Sequence, residues 1–105
     1  MRILVVEDER DLRRLTAKRL TEEGYSVDAC ENGEDALQYL DMAEYDAVIL
    51  DIMLPKLDGL SVLRTMRMQK NRTPVLLLTA KSAVEDKVCL LYTSDIQIPV
   101  GRFIL

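Results

Sequence analysis

The sequence predicts an α/β protein built on a doubly wound parallel sheet. Short apolar runs alternate with amphipathic segments, and the clearest runs are residues 3–6, 47–50 and 75–78. Each run stops abruptly at a polar residue, which is typical of parallel strands buried on both faces. Strands that alternate with helices at this spacing favour right-handed crossovers, with helices on both faces of the sheet.

A strand and an amphipathic helix open the chain. Residues 3–6 form the strand, which ends in the acidic residues 7–9. A leucine stripe over residues 12–20 predicts a helix that Gly24 ends. We interpret five cations on the other face of this helix as a solvated surface. These cations are Arg10, Arg13, Arg14, Lys18 and Arg19.

The same alternation continues through the middle of the chain. Residues 25–29 alternate apolar and polar side chains, which predicts an edge strand, and residues 36–40 supply the apolar face of a second helix. The apolar run 47–50 predicts a central strand that ends at Asp51, and Asp58 can cap a third helix.

The last predicted elements are a fourth strand and a fourth helix. Residues 75–78 form an apolar run that stops at Thr79. Ser82 and Glu85 have the spacing of a capping box, which predicts that a helix begins there. The predicted order of elements is therefore βαβαβαβα.

Composition excludes several classes of function. The chain has 105 residues, of which 49% are apolar and 30% charged, as in one soluble globular domain. Its formal net charge of −4 disfavours direct binding to nucleic acid or to an anionic membrane. Since no apolar stretch approaches the roughly 20 residues that span a bilayer, and no basic leader precedes the first strand, we expect a cytoplasmic protein.

The side chains present in the sequence favour chemistry based on carboxylates. The sequence has no histidine, which removes the usual zinc sites and every catalytic pair that needs an imidazole. Cys30 and Cys89 are too few and too isolated for a disulfide framework, so we expect two buried thiols.

Acidic residues stand where the predicted central strands end. In doubly wound sheets, ligands bind beyond the carboxyl ends of the strands. Glu7 and Asp8 follow the first strand and Asp51 follows the third, so these carboxylates should converge if the two strands are neighbours. Carboxylates that share a small site repel one another, and Mg²⁺ is a natural counterion because it prefers oxygen ligands and phosphate. The pattern predicts phosphoryl chemistry with Asp51 as the nucleophile.

Each acid also has a simpler interpretation. Asp51 taken by itself is compatible with capping a turn, because aspartate is common in loops between strands and helices. Glu7 and Asp8 would favour a helix N-terminus through the helix dipole, by less than about 1 kcal/mol. The coincidence of acids at two neighbouring strand ends weakens both interpretations.

Several motifs together resemble the receiver domain of bacterial two-component response regulators. They are an acid pair after the first strand, an aspartate before a loop with proline and glycine, and a Thr-Ala pair at the end of the fourth strand. These motifs occupy residues 5–8, 48–55, 58–59 and 74–80. The resemblance covers residues 1–88 and implies that they are the core of a flavodoxin-like receiver fold.

The resemblance implies a phosphoryl-accepting signalling switch. Asp51 would accept phosphate from a sensor histidine kinase with Mg²⁺ as cofactor. Asp8, Asp51 and the backbone carbonyl of Met53 would hold the metal, and Glu7 would act through metal-bound water. Such a protein catalyses only its own phosphorylation and dephosphorylation.

The resemblance also implies a switch residue and further partners. Thr79, with Ala80 beside it, would bind the phosphoryl group, because a hydroxyl can donate a hydrogen bond to a phosphoryl oxygen. Relatives of this kind act in transcription regulation, so a receiver homodimer or a lost DNA-binding output domain would be the partner of this chain. Direct binding to nucleic acid or membrane is not expected.

The tail departs from the family pattern. Residues 89–105 hold 2 of the 32 charged residues and show no recognisable last helix. If the tail keeps the family register, Gly101 occupies the position of a phosphate-binding lysine. Residues 96–98 alternate as in a short fifth strand, and Pro99 indicates an edge. The strand and helix that end a receiver are therefore altered or missing, through a frameshift, a truncation or divergence.

Two rival functions fit parts of the sequence. A Mg²⁺ phosphohydrolase with an aspartate nucleophile would need a second acid two residues beyond Asp51, where Met53 stands. A phosphorylation-defective, receiver-like binding module, or a truncated fragment, would follow from the missing lysine. Loss of the last helix would leave one apolar sheet face uncovered.

Overall fold

The computed structural model describes residues 1–51, 54–80, 86–93 and 96–104, and from Thr79 onward it describes the backbone alone. The elements in chain order are β1 (Arg2–Val6), α1 (Arg10–Glu22), β2 (Ser26–Cys30), α2 (Gly33–Met42), β3 (Ala47–Asp51), α3 (Gly59–Met68), β4 (Val75–Ala80), β5 (Asp86–Thr93) and β6 (Ile96–Ile104). The predicted succession of strands and helices is confirmed through β4.

The described strands form one sheet in the order β2-β1-β3-β4-β5-β6. The first four strands in this order are parallel, which confirms the doubly wound α/β prediction. The chain moves from β1 outward to β2 and then crosses to the other side of β1 with β3. The point where the direction of winding reverses therefore lies between β1 and β3, where such folds bind ligands.

The far side of the sheet ends in an antiparallel hairpin. β5 is antiparallel to β4, and β6 is antiparallel to β5 with a register shift between Cys89 and Leu90. The prediction of a fourth helix is wrong for residues 86–93, which are β5. Residues 88–91 are continuously apolar, a pattern that suits a buried helix and a strand equally, and pairing with β4 and β6 decides for the strand. Ser82 and Glu85 lie outside the described residues.

The predicted fifth strand at residues 96–98 is confirmed as part of β6. This strand continues to Ile104 and occupies the edge of the sheet. Pro99 lies within it, opposite Leu90. Because proline has no N–H to donate, an edge strand is where a sheet tolerates it.

The hydrophobic core lies between the sheet and the helices α2 and α3. Alternate residues of the parallel strands point into it, since successive side chains of a strand face opposite sides. The fully buried members from the strands include Leu4, Val48, Leu50, Val75 and Leu77, and α3 contributes Val62, Leu63 and Met66. Helix α1 packs on the opposite face, against β1 and β2. Among the described residues, no helix is long and apolar enough to cross a membrane.

Candidate metal and phosphoryl site

The carboxyl ends of β1 and β3 bring the predicted acids together. The two strands are direct neighbours, and Val6 pairs with Leu50. Glu7 is the next residue after Val6, and Asp51 is the next residue after Leu50. The parallel register therefore places Glu7 and Asp51 at the same level of the sheet, with Asp8 one residue beyond.

The three carboxylates form one cluster. One carboxylate oxygen each from Glu7, Asp8 and Asp51 lies within 4.8 Å of the others. Glu7 and Asp51 are buried, with 4% and 5% of their surface exposed, whereas Asp8 is open to solvent. The predicted convergence of these side chains is confirmed.

The composition of the cluster suits a hard divalent cation. Two unit charges of the same sign about 4 Å apart repel by about 4 kcal/mol at the effective dielectric typical near a protein surface, so proximity of three carboxylates favours a cation among them. All the ligand atoms are oxygens, which Mg²⁺ prefers. The exposure of Asp8 leaves one side open for the waters that Mg²⁺ retains. The residues present therefore fit a magnesium ion.

The loop between β1 and α1 is held at both of its ends. The backbone N–H of Glu7 donates to the carbonyl of Cys30 on β2, at 3.0 Å. The Glu9 side chain caps α1 by accepting from the N–H groups of Asp11 and Leu12, at 3.1 and 2.7 Å. The N–H of Glu9 in turn donates to the Glu7 carboxylate at 3.1 Å. These contacts fix the backbone that carries the acid pair.

Arg13 adds a contact that the sequence interpretation missed. Its guanidinium Nη1 donates to the carbonyl oxygens of Glu7, at 3.0 Å, and Asp8, at 3.4 Å. The sequence pattern predicts a solvated position for Arg13, with the other cations of α1, but its side chain is partly buried. The signal in the sequence was its place one helical turn into α1, because helical side chains lean back toward the N-terminus.

The loop after β3 is anchored by its apolar residues. Leu54 and Leu57 pack against the core cluster. Asp58 caps α3 by accepting from the N–H of Ser61 at 2.9 Å, as the sequence predicts, and this hydrogen bond lowers the pKa of the Asp58 carboxyl. The backbone carbonyl of Met53, expected from the resemblance to bind metal, lies outside the described residues.

The remaining expected site residues lie on β4 and β6. Leu78 pairs with Asp51, so the backbone of Thr79 lies one residue beyond that level and Ala80 two residues beyond. Gly101 is in register with Cys89, which pairs with Leu78. Position 101 is thus level with Asp51 but three strands away, about 14 Å at the usual strand spacing. In this arrangement it does not adjoin the acidic cluster.

Cys30, the last residue of β2, is a buried free thiol. Burial is the main cause that raises its pKa to about 12. The expectation of a buried thiol is confirmed for Cys30, and the side chain of Cys89 is beyond the described part of the chain.

Comparison with known proteins identifies a family. The model of the response regulator receiver domain matches residues 3–97. The transcriptional regulatory protein TcrA of Mycobacterium tuberculosis is 50% identical over 88 residues, which are 84% of this chain and 35% of TcrA. The chain therefore spans about a third of the length of this curated relative.

Solved structures agree in fold. The response regulator protein TrrA from Thermotoga maritima, in complex with Mg²⁺-BeF, has a TM-score of 0.72 and 46% identity, covering 80% of this chain and 73% of TrrA. TrrA in complex with the histidine kinase ThkA gives a TM-score of 0.71 and 46% identity, covering 80% of this chain and 72% of the matched one.

Proposed function

Because this chain belongs to the response regulator receiver domain family, we propose that it accepts a phosphoryl group on Asp51 from the phosphohistidine of a sensor histidine kinase, with Mg²⁺ as cofactor. The observation that carries the proposal is the cluster of Glu7, Asp8 and Asp51 at the carboxyl ends of β1 and β3. Their side chains would serve as nucleophile and metal ligands in a single site.

The transfer step uses Asp51 as the attacking group. A carboxylate oxygen of Asp51 forms a bond to phosphorus while the bond from phosphorus to the donor imidazole nitrogen breaks. The imidazole keeps the electron pair of the broken bond, and the product is an acyl phosphate on Asp51. Hydrolysis of this acyl phosphate by water returns the free carboxylate and inorganic phosphate, so the chain acts only on itself.

The other acids would hold the metal. Asp8, Asp51 and the Met53 carbonyl are the proposed direct ligands, and Glu7 is proposed to act through a metal-bound water. Mg²⁺ would supply positive charge against the carboxylates and the transferring phosphoryl oxygens. The burial of Glu7 and Asp51 supports the proposal, since charge interactions strengthen where water is excluded.

Thr79 and Ala80 are the proposed switch. Their backbone lies on β4 just beyond the residue that pairs with Asp51, which is the level that a phosphoryl group on Asp51 would reach. The Thr79 hydroxyl would donate a hydrogen bond to a phosphoryl oxygen. This contact would shift the equilibrium between conformations of β4 and of the segment after it.

The proposed partners are a kinase and an output domain. TrrA is known in complex with a histidine kinase, and TcrA is a transcriptional regulatory protein about three times as long as the matched region. We propose the same kind of donor for this chain, and either a DNA-binding output domain or a second receiver as its target. A cytoplasmic location follows, since that is where such kinases carry phosphohistidine.

Phosphorylation by a small donor tests the site directly. The intact mass of the full chain, incubated with acetyl phosphate and Mg²⁺, is expected to rise by one phosphoryl group, and chelation of the metal should abolish the rise. Asp51→Asn should show no rise, whereas the control Asp41→Asn, an exposed acid on α2, should match the wild type. A normal rise in Asp51→Asn would contradict the assignment.

The rival function is a receiver-like binding module that no longer takes phosphate. The position of Gly101, level with Asp51 but three strands away, favours it, because no lysine can act from there. A folded wild-type chain that gains no phosphoryl group, yet binds a kinase equally well with and without Mg²⁺, would establish this alternative.

A further inference from the structure

We infer that Arg13 is a positioning residue of the acidic site, which holds the backbone of Glu7 and Asp8 so that their carboxylates meet a cation with Asp51. The inference rests on the proposed function, since it assigns a role within the same site. Arg13 itself would touch neither metal nor phosphate. It would act through two carbonyl groups of the loop between β1 and α1.

The contacts of Arg13 distinguish it from the other cations of α1. Arg10, Arg14, Lys18 and Arg19 are exposed, whereas Arg13 is partly buried. Its Nη1 donates to the carbonyls of Glu7 and Asp8, at 3.0 and 3.4 Å. A solvated helix face needs no such contacts.

The position of Arg13 explains its reach. Helix α1 begins at Arg10 with Glu9 as its N-cap, and the N–H of Arg13 donates to the Glu9 carbonyl at 2.9 Å. Because helical side chains lean toward the N-terminus, a long side chain at this position extends back over the first turn to residues 7 and 8. The helix thus acts as a rigid support from which Arg13 holds the loop.

Arg13 restrains the carbonyl side of a loop whose N–H groups are bonded to other partners. The N–H groups of Glu7 and Glu9 are bonded to the Cys30 carbonyl and the Glu7 carboxylate. The guanidinium adds a charge-assisted hydrogen bond to each carbonyl, and such bonds are stronger than neutral ones. Partners that orient metal ligands in this indirect way typically change metal affinity by about 10-fold to 100-fold when removed.

If Arg13 acted only through its charge, its removal would change the Mg²⁺ affinity in the opposite direction from the loss of a positioning contact. The inference is therefore testable. A cation beside three carboxylates competes with a metal ion, so removal of its charge should tighten Mg²⁺ binding if charge were its whole contribution. Loss of a positioning contact should weaken Mg²⁺ binding, because the acids would have to be reordered when the metal binds.

Calorimetric titration of the full chain with MgCl₂ measures the Mg²⁺ affinity of the wild type and of each variant. We expect Arg13→Gln to bind Mg²⁺ about tenfold or more weakly than the wild type. The matched control Arg14→Gln removes the same charge from the next, exposed position, and should change the affinity by less than about twofold in the direction of tighter binding. Equal or tighter binding by Arg13→Gln than by Arg14→Gln would overturn the inference.

A conservative variant keeps the test decisive if Arg13→Gln does not fold. Arg13→Lys retains the charge and a donor but has a shorter reach, so it should bind Mg²⁺ more weakly than the wild type. An affinity equal to that of the wild type would overturn the positioning role, because the reach of the guanidinium to both carbonyls would then make no difference to Mg²⁺ binding.

A metal-free measurement separates this inference from the proposed function. Amide hydrogen exchange at Glu9, whose N–H donates to the Glu7 carboxylate, should accelerate in Arg13→Gln and not in Arg14→Gln. Unchanged exchange contradicts the positioning role even if the wild type binds Mg²⁺ and is phosphorylated. Failure of the wild type to bind Mg²⁺ would instead remove the proposed function and this inference together.

Discussion

The two faces of the sheet are covered unequally. On one face, α3 buries Val62, Leu63 and Met66 against the strands. On the other face, none of the thirteen residues of α1 is buried, and Leu15 is 48% exposed. Both helices are amphipathic, so the sequence pattern shows which side of a helix is apolar but not how deeply that side is buried.

The difference follows from the neighbours that each helix has. α2 and α3 pack against each other as well as on the sheet. α1 contacts β1 and β2, while Ile49, Leu76 and Leu78 remain partly exposed on β3 and β4. In the described part of the chain, the side of the sheet that carries α1 therefore has apolar surface open to solvent. Burial depends on having a second partner on the same face.

The largest effect is expected from matched truncations on the two faces. Met66→Ala should lower the free energy of unfolding by about 2–5 kcal/mol, because it removes a fully buried side chain and leaves a cavity. Leu15→Ala on α1 should lower it by less than about 1 kcal/mol, since the side chain is half exposed. Urea unfolding followed by circular dichroism measures both, and equal losses would contradict unequal burial of the two faces.

Close packing at the start of α2 provides the next test. A Cβ on Gly33 would overlap the backbone carbonyl oxygen of Leu57 and approach the Val62 side chain to 2.8 Å. Gly33→Ala should therefore lower the free energy of unfolding by about 1–3 kcal/mol, although alanine is the better helix former. The exposed Gln38→Ala on the same helix should change it by less than about 0.5 kcal/mol. A stabilising effect of Gly33→Ala would show that α2 and the loop before α3 are not in close contact.

A smaller effect is expected from the network that joins β1, β2 and Tyr45, which lies in the segment before β3. The Tyr45 hydroxyl donates to the Asp28 carboxylate at 2.6 Å, and the Arg2 guanidinium contacts the same carboxylate at 2.9 Å. Tyr45→Phe should lower the free energy of unfolding by about 1.5 kcal/mol near neutral pH. Phosphorylation should be unchanged, because the network does not include the acidic site.

The effect of Tyr45→Phe should depend on pH. The Tyr45 hydrogen bond is the main cause that lowers the pKa of Asp28 in the folded chain. A carboxyl whose folded pKa is depressed contributes stability above its unfolded pKa, near 3.9, and loses it as the pH falls through the folded value. The difference between Tyr45→Phe and wild type should therefore be constant from pH 7 to 5 and shrink below about pH 4. A difference that grows in acid would contradict the assigned pairing.

The parallel part of the fold and the acidic cluster were predictable from the sequence. Apolar runs define β1, β3 and β4, and parallel neighbours must bring Glu7 and Asp51 to one edge. The strand β5 was not predictable, because a short apolar run suits a buried helix and a strand equally, and the pairing with β4 and β6 that decides between them is not encoded in the run itself. Arg13 was missed for a related reason: periodicity places it on α1 but carries no information about the carbonyls that its guanidinium reaches.

Locating the phosphoryl group tests the central claim most directly. Borohydride reduction converts an aspartyl phosphate into homoserine, and tandem mass spectrometry of the resulting peptides identifies the position. After incubation with acetyl phosphate and Mg²⁺, we predict homoserine at position 51. Homoserine at position 8, or at an acid outside the cluster, would contradict the account.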